Sequence, residues 1–271
     1  MSGELTGRVA LVTGANHGIG AATARRLAAD GAAIVITYLR ARVDTDHATP
    51  ERYQENRMRP GDEVSAEIER EGGRAMAIEA DLLDPATPAR LFDAAESAFG
   101  RVDILINNAT GWCRGDTFLV GGPDGAGRAA SSVVAATFDT TFGVDAKAAA
   151  LMIAEMARRH VAARAEWGRI VGLTSGGPAG MPGEVTYGAA KAAQENFTFA
   201  AATELIRHGV TANMIHPPVT DTGWVNDAVR TFVAGDQIHA HVAEPEEVAG
   251  VVAWLCTDTA RMVTGNLIRM R

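Results

Sequence analysis

The chain has 271 residues, of which 47% are hydrophobic and 21% are charged, and its formal net charge is -8. This length and composition predict one well-buried α/β domain and exclude an intrinsically disordered chain. The acidic balance excludes nucleic acid as the main partner, because binding a phosphate backbone needs a concentrated basic face.

Short β-branched apolar runs alternate along the chain with longer alanine-rich segments of helical period. This is the pattern of βαβ units around a parallel sheet. In chain order, the predicted elements are strand Arg8–Val12, helix Ile19–Asp30, strand Ala33–Tyr38, helix Asp62–Glu71, strand Arg74–Glu79, helix Pro88–Phe99, strand Val102–Ile106, helix Ser132–Arg159, strand Arg169–Thr174, helix Tyr187–His208, strand Val210–Ile215, helix Pro245–Cys256 and strand Asn266–Arg269. The predicted fold class is therefore α/β: one doubly wound sheet of seven parallel strands, with helices on both faces and a single domain over residues 1–271.

Three segments interrupt this alternation. Residues 41–60 are charged and contain Pro50 and Pro60, and residues 111–131 carry a run of glycines. Both are predicted to be loop insertions at the edge of the fold. Both loops are predicted to lie on sides where such folds admit ligands, and residues Thr220–Asp236, after the sixth strand, are predicted to form a lid.

Cysteine usage and hydropathy indicate the surroundings of the protein. Cys113 and Cys256 are far apart in sequence and indicate neither a disulfide framework nor a metal-ligand pair. The apolar stretch Val9–Val12 is too short for a signal peptide, and no segment approaches the roughly 20 apolar residues that span a bilayer. The sequence thus predicts a cytoplasmic protein with no metal site and no membrane partner.

A glycine-rich turn, Thr13–Gly20, lies between the first strand and the first helix. In this context Gly14 permits a sharp turn, Gly18 lets the backbone approach a pyrophosphate, and Gly20 lets the helix pack on the strand. The N-terminus of the helix then presents unpaired N–H groups and the positive end of its dipole to phosphates. The turn predicts dinucleotide binding; the alternative is a tight connection that binds nothing.

The end of the second strand indicates which dinucleotide is preferred. Residues Thr37–Arg40 contain no acid that would bind the ribose 2′-OH of NAD, whereas Arg40 and Arg42 can pair with a 2′-phosphate, helped by His17. NADP(H) is therefore favoured and NAD(H) remains possible; the alternative is that both arginines are solvated surface charges. Asp81, after the third strand, either contacts the adenine or caps the segment that begins near Asp84.

Tyr187 and Lys191 are four residues apart on a predicted helix and therefore share one face. An ammonium beside a phenol favours the phenolate, so the pKa of Tyr187 is expected to fall below its usual value of about 10. Ser175, at the end of a strand, can hydrogen-bond the same carbonyl oxygen. Each feature alone is a common accident, but their order after a dinucleotide-type turn indicates proton transfer beside a bound cofactor.

With these motifs in place, the sequence resembles the short-chain dehydrogenase/reductase family from Arg8 to Leu267. The resemblance rests on the Thr13–Gly20 turn, Asp81-Leu82, Asn107-Asn108-Ala109, Ser175 and the Tyr187/Lys191 pair. It implies that Asn107 and Ala109 line the adenosine-ribose side of the cofactor, that Lys191 also holds the nicotinamide ribose, and that Tyr187 is the general acid in reduction. The implied cofactor-binding residues are Gly14, Asn16, His17, Gly18, Ile19, Gly20, Tyr38, Arg40, Asp81, Leu82, Asn108, Ala109, Lys191, Pro217 and Thr222; the implied catalytic residues are Ser175, Tyr187, Lys191 and Asp145.

The chain departs from the family pattern at several positions. Asp145 stands where the family usually has an asparagine; it either pairs with Lys191 or stays ionised and weakens the pull of the lysine on the tyrosine. The resemblance implies that the family's relay water is held through main chain at this position, so the relay can survive the change. Thr110 and Pro218 replace two usual glycines, which reduces backbone freedom. The usual Asp-Gly-Gly tail is absent. The alanine-rich helices that include Ala146–Ala150 and Ala189–Ala202 resemble family subunit interfaces and predict a homodimer or homotetramer.

The predicted function is NADP(H)-dependent reduction of a carbonyl compound to an alcohol, or the reverse reaction. The substrate is expected to be apolar or cyclic, because aromatic and apolar residues are predicted to cover the nicotinamide. Two alternatives remain open: a nucleotide-binding sensor without turnover, favoured by Asp145, Thr110 and Pro218, and a non-redox lyase or isomerase. The residues predicted to form the apolar cover are Trp112, Cys113, Phe118, Met181, Trp224 and Val225.

Overall fold

A computed structural model describes residues 3–41, 50–119, 130–177 and 179–271. It confirms a single seven-stranded parallel sheet, in the order β3-β2-β1-β4-β7-β8-β9, and adds a two-stranded parallel pair, β5 and β6. The strands are β1 (Val9–Thr13), β2 (Ala33–Tyr38), β3 (Arg74–Glu79), β4 (Ile104–Asn107), β5 (Asp116–Thr117), β6 (Ser131–Ser132), β7 (Gly168–Leu173), β8 (Val210–His216) and β9 (Leu267–Arg269).

Helices cover both faces of the sheet. In the described residues the α-helices are α1 (Gly18–Ala29), α2 (Glu51–Met58), α3 (Asp62–Arg70), α4 (Thr87–Phe99), α5 (Ala135–Thr141), α6 (Ala149–Ala162), α7 (Val185–Leu205), α8 (Asp227–Gly235) and α9 (Pro245–Leu255). Alternate strand residues face opposite layers, as a pleated strand requires. Ala10, Val12 and Ile34 pack towards α1, α3 and α9, whereas Leu11 and Val35 pack towards α4, α6 and α7. Because both faces are covered, the central strands are wholly buried.

The structure corrects two of the predicted segments and adds a helix to a third. Residues 41–60 are not loop throughout, because α2 occupies Glu51–Met58. The predicted helix Ser132–Arg159 is interrupted: Ser132 belongs to β6, and a π-helical turn, Phe142–Ala148, separates α5 from α6. The predicted lid contains a helix, α8, whose N-terminus is capped by the side chain of Asn226. The glycine run of residues 111–131 lies largely outside the described residues.

The order of the strands places a crevice between β1 and β4. The sheet reverses its direction of growth at this pair, and in open α/β sheets ligands bind beyond the carboxyl ends of the strands at such a point. The glycine-rich turn follows β1, and Asn108 and Ala109 follow β4. Among the described helices, none combines the length and apolar character needed to cross a bilayer.

Candidate active site

The side chain of Thr13 joins the two strand ends that form the crevice. Its Oγ1 accepts hydrogen bonds from the N–H groups of Asn108 and Ala109, both at 3.0 Å. The Asn108 side chain returns two bonds of 2.9 Å, to the carbonyl oxygens of Thr13 and Gly14. The turn after β1 is thereby fixed by the residues after β4, which explains why both segments are needed to shape one wall of the site.

The glycine positions of the turn have no space for a side chain. Gly14 and Gly18 have φ values of 65° and 55°, in the left-handed region that favours glycine. A Cβ on Gly14 would lie 2.8 Å from the Cα of Ala109, and one on Gly20 would lie 2.4 Å from the carbonyl oxygen of Gly14. Helix α1 also begins without a side-chain cap, so its first N–H groups are available to an anion. The turn therefore fits the diphosphate of a dinucleotide.

The Gly18→Ala variant is expected to unfold more easily by about 1–2 kcal/mol, the cost of a left-handed non-glycine residue. Its Cβ would also lie 2.8 Å from Cγ2 of Thr222. Denaturant unfolding measures this loss. Gly250→Ala is the matched control, because nothing lies within 4 Å of its Cβ in the middle of α9. That variant is expected to gain stability, so an equal effect of both substitutions would contradict the prediction.

At the end of β2, the partner of Arg40 differs from the one predicted from the sequence. Arg40 makes a two-pronged ion pair with Glu79, at the end of the neighbouring strand β3, with a shortest N–O distance of 2.7 Å. It does not line the crevice, so Glu79 already satisfies the guanidinium that was predicted to meet a 2′-phosphate. Tyr38 does line the crevice, and its hydroxyl donates to Asp62 at 3.0 Å. Arg42 lies outside the described residues.

Of the predicted site residues at the ends of β3 and β4, some line the crevice and others do not. Leu82 lines the crevice, whereas the carboxylate of Asp81 accepts the N–H of Leu83 at 2.8 Å and stabilises the turn before α4. One alternative expected Asp81 to cap the helix, and it does not do so. Asn107 is buried, and its side chain donates to the carbonyl oxygen of Ala149. The expectation that Asn107 lines the cofactor side is therefore wrong, because its side chain points into α6.

Tyr187 enters the crevice because α7 is held at its N-terminus by a distant carboxylate. Asp116 of β5 accepts hydrogen bonds from the N–H and the hydroxyl of Thr186, the former at 2.9 Å. A carboxylate at this end is also favoured by the helix dipole. Ser175, which follows β7, hydrogen-bonds the Tyr187 hydroxyl, and both side chains line the crevice. The sequence thus predicted this pair correctly as neighbours.

Lys191 lies behind Tyr187 in a closed polar cluster. Its Nζ is 5.6 Å from the centre of the Tyr187 ring, 2.8 Å from Oδ1 of Asp145 and 3.1 Å from Oε1 of Gln194. Asp145 is fully buried in the π-helical turn, and its other oxygen accepts the N–H of Gly111 at 2.7 Å. π-helical turns occur frequently at functional sites. The charge of Lys191 is therefore balanced by Asp145 within the protein.

The ionisation of Tyr187 is opposite to the expectation from its spacing to Lys191. Removal of the phenol from water raises the pKa of Tyr187 well above its usual value near 10, and the negative charges of Asp145 and Glu184 raise it further. The hydrogen bond from Ser175 lowers it only in part. Burial and the neighbouring carboxylates therefore favour the neutral phenol, the form that is protonated at neutral pH.

The crevice encloses about 540 Å³. The predicted apolar cover is confirmed in part: Trp112, Met181 and Trp224 line the crevice. Phe118 is 80% exposed, and Val225 packs instead against α8. Residues of the predicted cofactor site that line the crevice are Gly14, Asn16, His17, Gly18, Ile19, Tyr38, Leu82, Asn108, Ala109, Lys191, Pro217 and Thr222.

Sequence reasoning missed four polar residues of this site. Tyr53 and Arg57 reach the crevice from α2, Glu184 accepts the indole N–H of Trp112 at 3.1 Å, and Gln194 binds Lys191. Gln194 is three residues after Lys191 on the same helix, a spacing that the sequence shows. No such local signal exists for the other three, because their partners come from distant parts of the chain.

Comparison with known proteins agrees with this geometry. The family profile described as short chain dehydrogenase matches residues 8–231. A 3-oxoacyl-(acyl-carrier-protein) reductase of Synechocystis sp. is 32% identical over 264 residues, which cover 97% of this chain and 94% of the relative. Cis-4-hydroxycyclohexanecarboxylate dehydrogenase of Sinomonas cyclohexanicum is 32% identical over 265 residues, 96% of this chain and 94% of that protein.

The fold of this chain also matches that of a solved structure. The short chain dehydrogenase of Burkholderia cenocepacia, solved in complex with NADP, matches with a TM-score of 0.79 and 30% identity, over 98% of this chain and 97% of that chain. The relatives, the sheet and the Ser175–Tyr187–Lys191 arrangement all agree. This chain therefore belongs to the short-chain dehydrogenase/reductase family of NAD(P)-dependent oxidoreductases.

Proposed function

We propose that the protein reduces a ketone or aldehyde to an alcohol with NADPH as the hydride donor. The observation that carries this proposal is the arrangement of Tyr187, Ser175 and Lys191, which line the same crevice, with the Tyr187 hydroxyl hydrogen-bonded to Ser175. An acid that is neutral at pH 7 can give its proton to a carbonyl oxygen that becomes an alkoxide. In the reverse reaction the same group would act as the phenolate and take the proton from the alcohol.

The roles of the remaining residues follow from their contacts. When bound, the reduced nicotinamide supplies the hydride. Ser175 holds the carbonyl oxygen beside the phenol, and Tyr187 donates the proton to that oxygen. Lys191, held between Asp145 and Gln194, offers its ammonium N–H groups beneath Tyr187. The glycine turn, with the free N-terminus of α1, holds the diphosphate.

NADPH is preferred in this proposal on two grounds. The crevice residues at the end of β2 are Thr37, Tyr38 and Leu39, none of which is an acid that would select the 2′-OH of NAD. The structurally similar dehydrogenase of Burkholderia cenocepacia was solved with NADP. Cytoplasmic location and self-association stay predictions from the sequence.

A cyclic or otherwise apolar substrate is supported by the lining of the crevice. Trp112, Met181 and Trp224 present apolar surface, and both tryptophan N–H groups are engaged, by Glu184 and by the carbonyl oxygen of Thr220. Apolar walls with few polar groups are typical of sites for apolar ligands. The Sinomonas relative, by its name, acts on a cyclohexane carboxylate.

The proposed reaction is tested with a series of carbonyl substrates. We expect cyclic and aromatic ketones to give a higher kcat/KM than small polyhydroxylated ketones, because the latter lose hydrogen bonds to water in an apolar site. NADPH and NADH are compared in parallel by the fall in nicotinamide absorbance. A preference for polyhydroxylated ketones would contradict the substrate proposal, and a preference for NADH would contradict the cofactor proposal.

A further inference from the structure

The described arginines that follow β2 and those on or just after α2 fall into two kinds. Arg40 pairs with Glu79 at 2.7 Å, Arg59 faces Glu63 at 3.9 Å, and Arg52 faces Asp221 at 3.9 Å. Arg57 differs from them: among the described residues, no carboxylate lies within ion-pair distance of its guanidinium. Within the described part of the chain, it is also the arginine that lines the crevice. An arginine without a counter-charge in a ligand cleft is a candidate for binding an anion.

The partners of Arg57 are neutral oxygen atoms at long distances. Its Nε lies 3.4 Å from the carbonyl oxygen of Ala41, and its Nη1 lies 3.3 Å from Oη of Tyr53 and 3.5 Å from the carbonyl oxygen of Trp112. Ala41 follows β2 and Trp112 follows β4, on either side of β1. The guanidinium therefore lies at the glycine turn, between the two neighbouring strand ends.

Helix α2 is fixed in this position from both sides of the crevice. The side chain of Asn16, in the glycine turn, donates to the carbonyl oxygens of Arg57 and Arg59 at 3.2 and 2.9 Å. On the opposite side, Asn56 donates to the carbonyl oxygen of Thr222 at 3.0 Å. Gly223 is needed there, because a Cβ would lie 2.6 Å from Nδ2 of Asn56. These contacts hold Arg57 over the turn rather than in solvent.

The glycine turn itself carries no cation at neutral pH. The side-chain N–H groups of Asn16 are used by α2, so its Oδ1 accepts from Nδ1 of His17 at 3.1 Å. Burial, reinforced by the charges of Arg57 and Arg59, lowers the pKa of His17 to about 4. His17 is thus neutral, and its Nε2 has no proton to donate. The sequence predicted positive charge from Arg40 and Arg42, with help from His17; of these, Arg42 lies outside the described residues.

We propose that Arg57 of α2 binds a phosphate group of the cofactor, as the cationic partner that neither Arg40 nor His17 supplies. This inference rests on the proposed use of NADPH. Guanidinium groups bind phosphate oxygens through paired, charge-assisted hydrogen bonds, which are stronger than the long bonds Arg57 makes to neutral oxygens. Arg57 therefore gives up weak partners for a strong one when the nucleotide binds.

The test measures nucleotide affinity rather than turnover. NADPH and NADH are titrated, by nicotinamide fluorescence, against the wild type, Arg57→Gln, Arg57→Lys and Arg40→Gln. Arg57→Gln is expected to weaken binding about 10- to 100-fold, as one lost charge-assisted hydrogen-bonded contact implies. Arg57→Lys is expected to recover part of the affinity, since it keeps the charge but not the fork. Arg40→Gln is expected to match the wild type, because Arg40 faces Glu79.

The two nucleotides identify which phosphate is bound. A loss confined to NADPH supports a contact with the 2′-phosphate, and an equal loss for NADPH and NADH supports a contact with the diphosphate. Wild-type affinity in Arg57→Gln, or a loss only in Arg40→Gln, would overturn the inference. Failure of the wild type to bind either nucleotide would instead overturn the proposed function, and with it the inference. Thermal unfolding of each variant checks that the fold is kept, and Arg57→Lys remains informative if Arg57→Gln does not fold.

Discussion

The Tyr187→Phe variant is expected to reduce carbonyl substrates about 10²- to 10⁴-fold more slowly than the wild type, which is the usual contribution of a general acid. Phenylalanine keeps the ring on α7 but removes the hydroxyl that is hydrogen-bonded to Ser175. Since the proton for the developing alkoxide comes from this hydroxyl, kcat falls. The measurement is the initial rate of NADPH oxidation with a saturating ketone.

Two further measurements distinguish a loss of the proton-transfer step from a loss of cofactor binding or of folding. NADPH affinity and the midpoint of thermal unfolding of Tyr187→Phe are expected to stay close to those of the wild type, because the glycine turn and Arg57 are unchanged. A variant with wild-type turnover would contradict the assignment of Tyr187 as the acid. Turnover by the wild type without any change in nicotinamide absorbance would instead indicate a lyase or isomerase.

The Asp145→Asn variant is expected to lose about 3 kcal/mol of unfolding free energy, the low end of the cost of removing one partner from a buried ion pair. Asp145 is fully buried and Lys191 is 2% exposed, so the ammonium would be left without its counter-charge. Asparagine has the same shape and can still accept the N–H of Gly111. Denaturant unfolding of the apoprotein at neutral pH measures the change.

The same variant is expected to alter the pH dependence of alcohol oxidation. The carboxylate of Asp145 raises the pKa of Tyr187, so its removal lowers that pKa. The phenolate is the base in oxidation, and the rising limb of the rate profile therefore moves to lower pH. Asp145→Asn combined with Lys191→Met is the control for stability: it removes both charges and is expected to be more stable than Asp145→Asn. Unchanged stability of Asp145→Asn would contradict the buried ion pair.

The elements of the fold were predictable where the local pattern was strong. The seven strands of the sheet and the turn at Gly14 and Gly18 have periodic or glycine-specific signatures, and the structure has them close to the predicted bounds. Helix α2 was missed because its sequence is highly polar and lacks an apolar stripe; Tyr53 is its buried residue. Its position depends on bonds from Asn16 and to Thr222, which are distant in sequence.

The sequence by itself determined the family, the doubly wound sheet and the pair of Tyr187 with Lys191, since these depend on spacing within a helix or on residue types at a turn. Only the tertiary structure decided which charged groups contact each other and which are buried. It pairs Arg40 with Glu79, leaves Arg57 facing neutral oxygens, and buries the pair of Asp145 and Lys191 that the sequence had already suggested. The physical reason is that the electrostatic energy of a charged group depends on which groups lie within a few ångströms of it and on how far water is excluded. Those groups come from parts of the chain that are distant in sequence, so neighbours along the chain do not encode them.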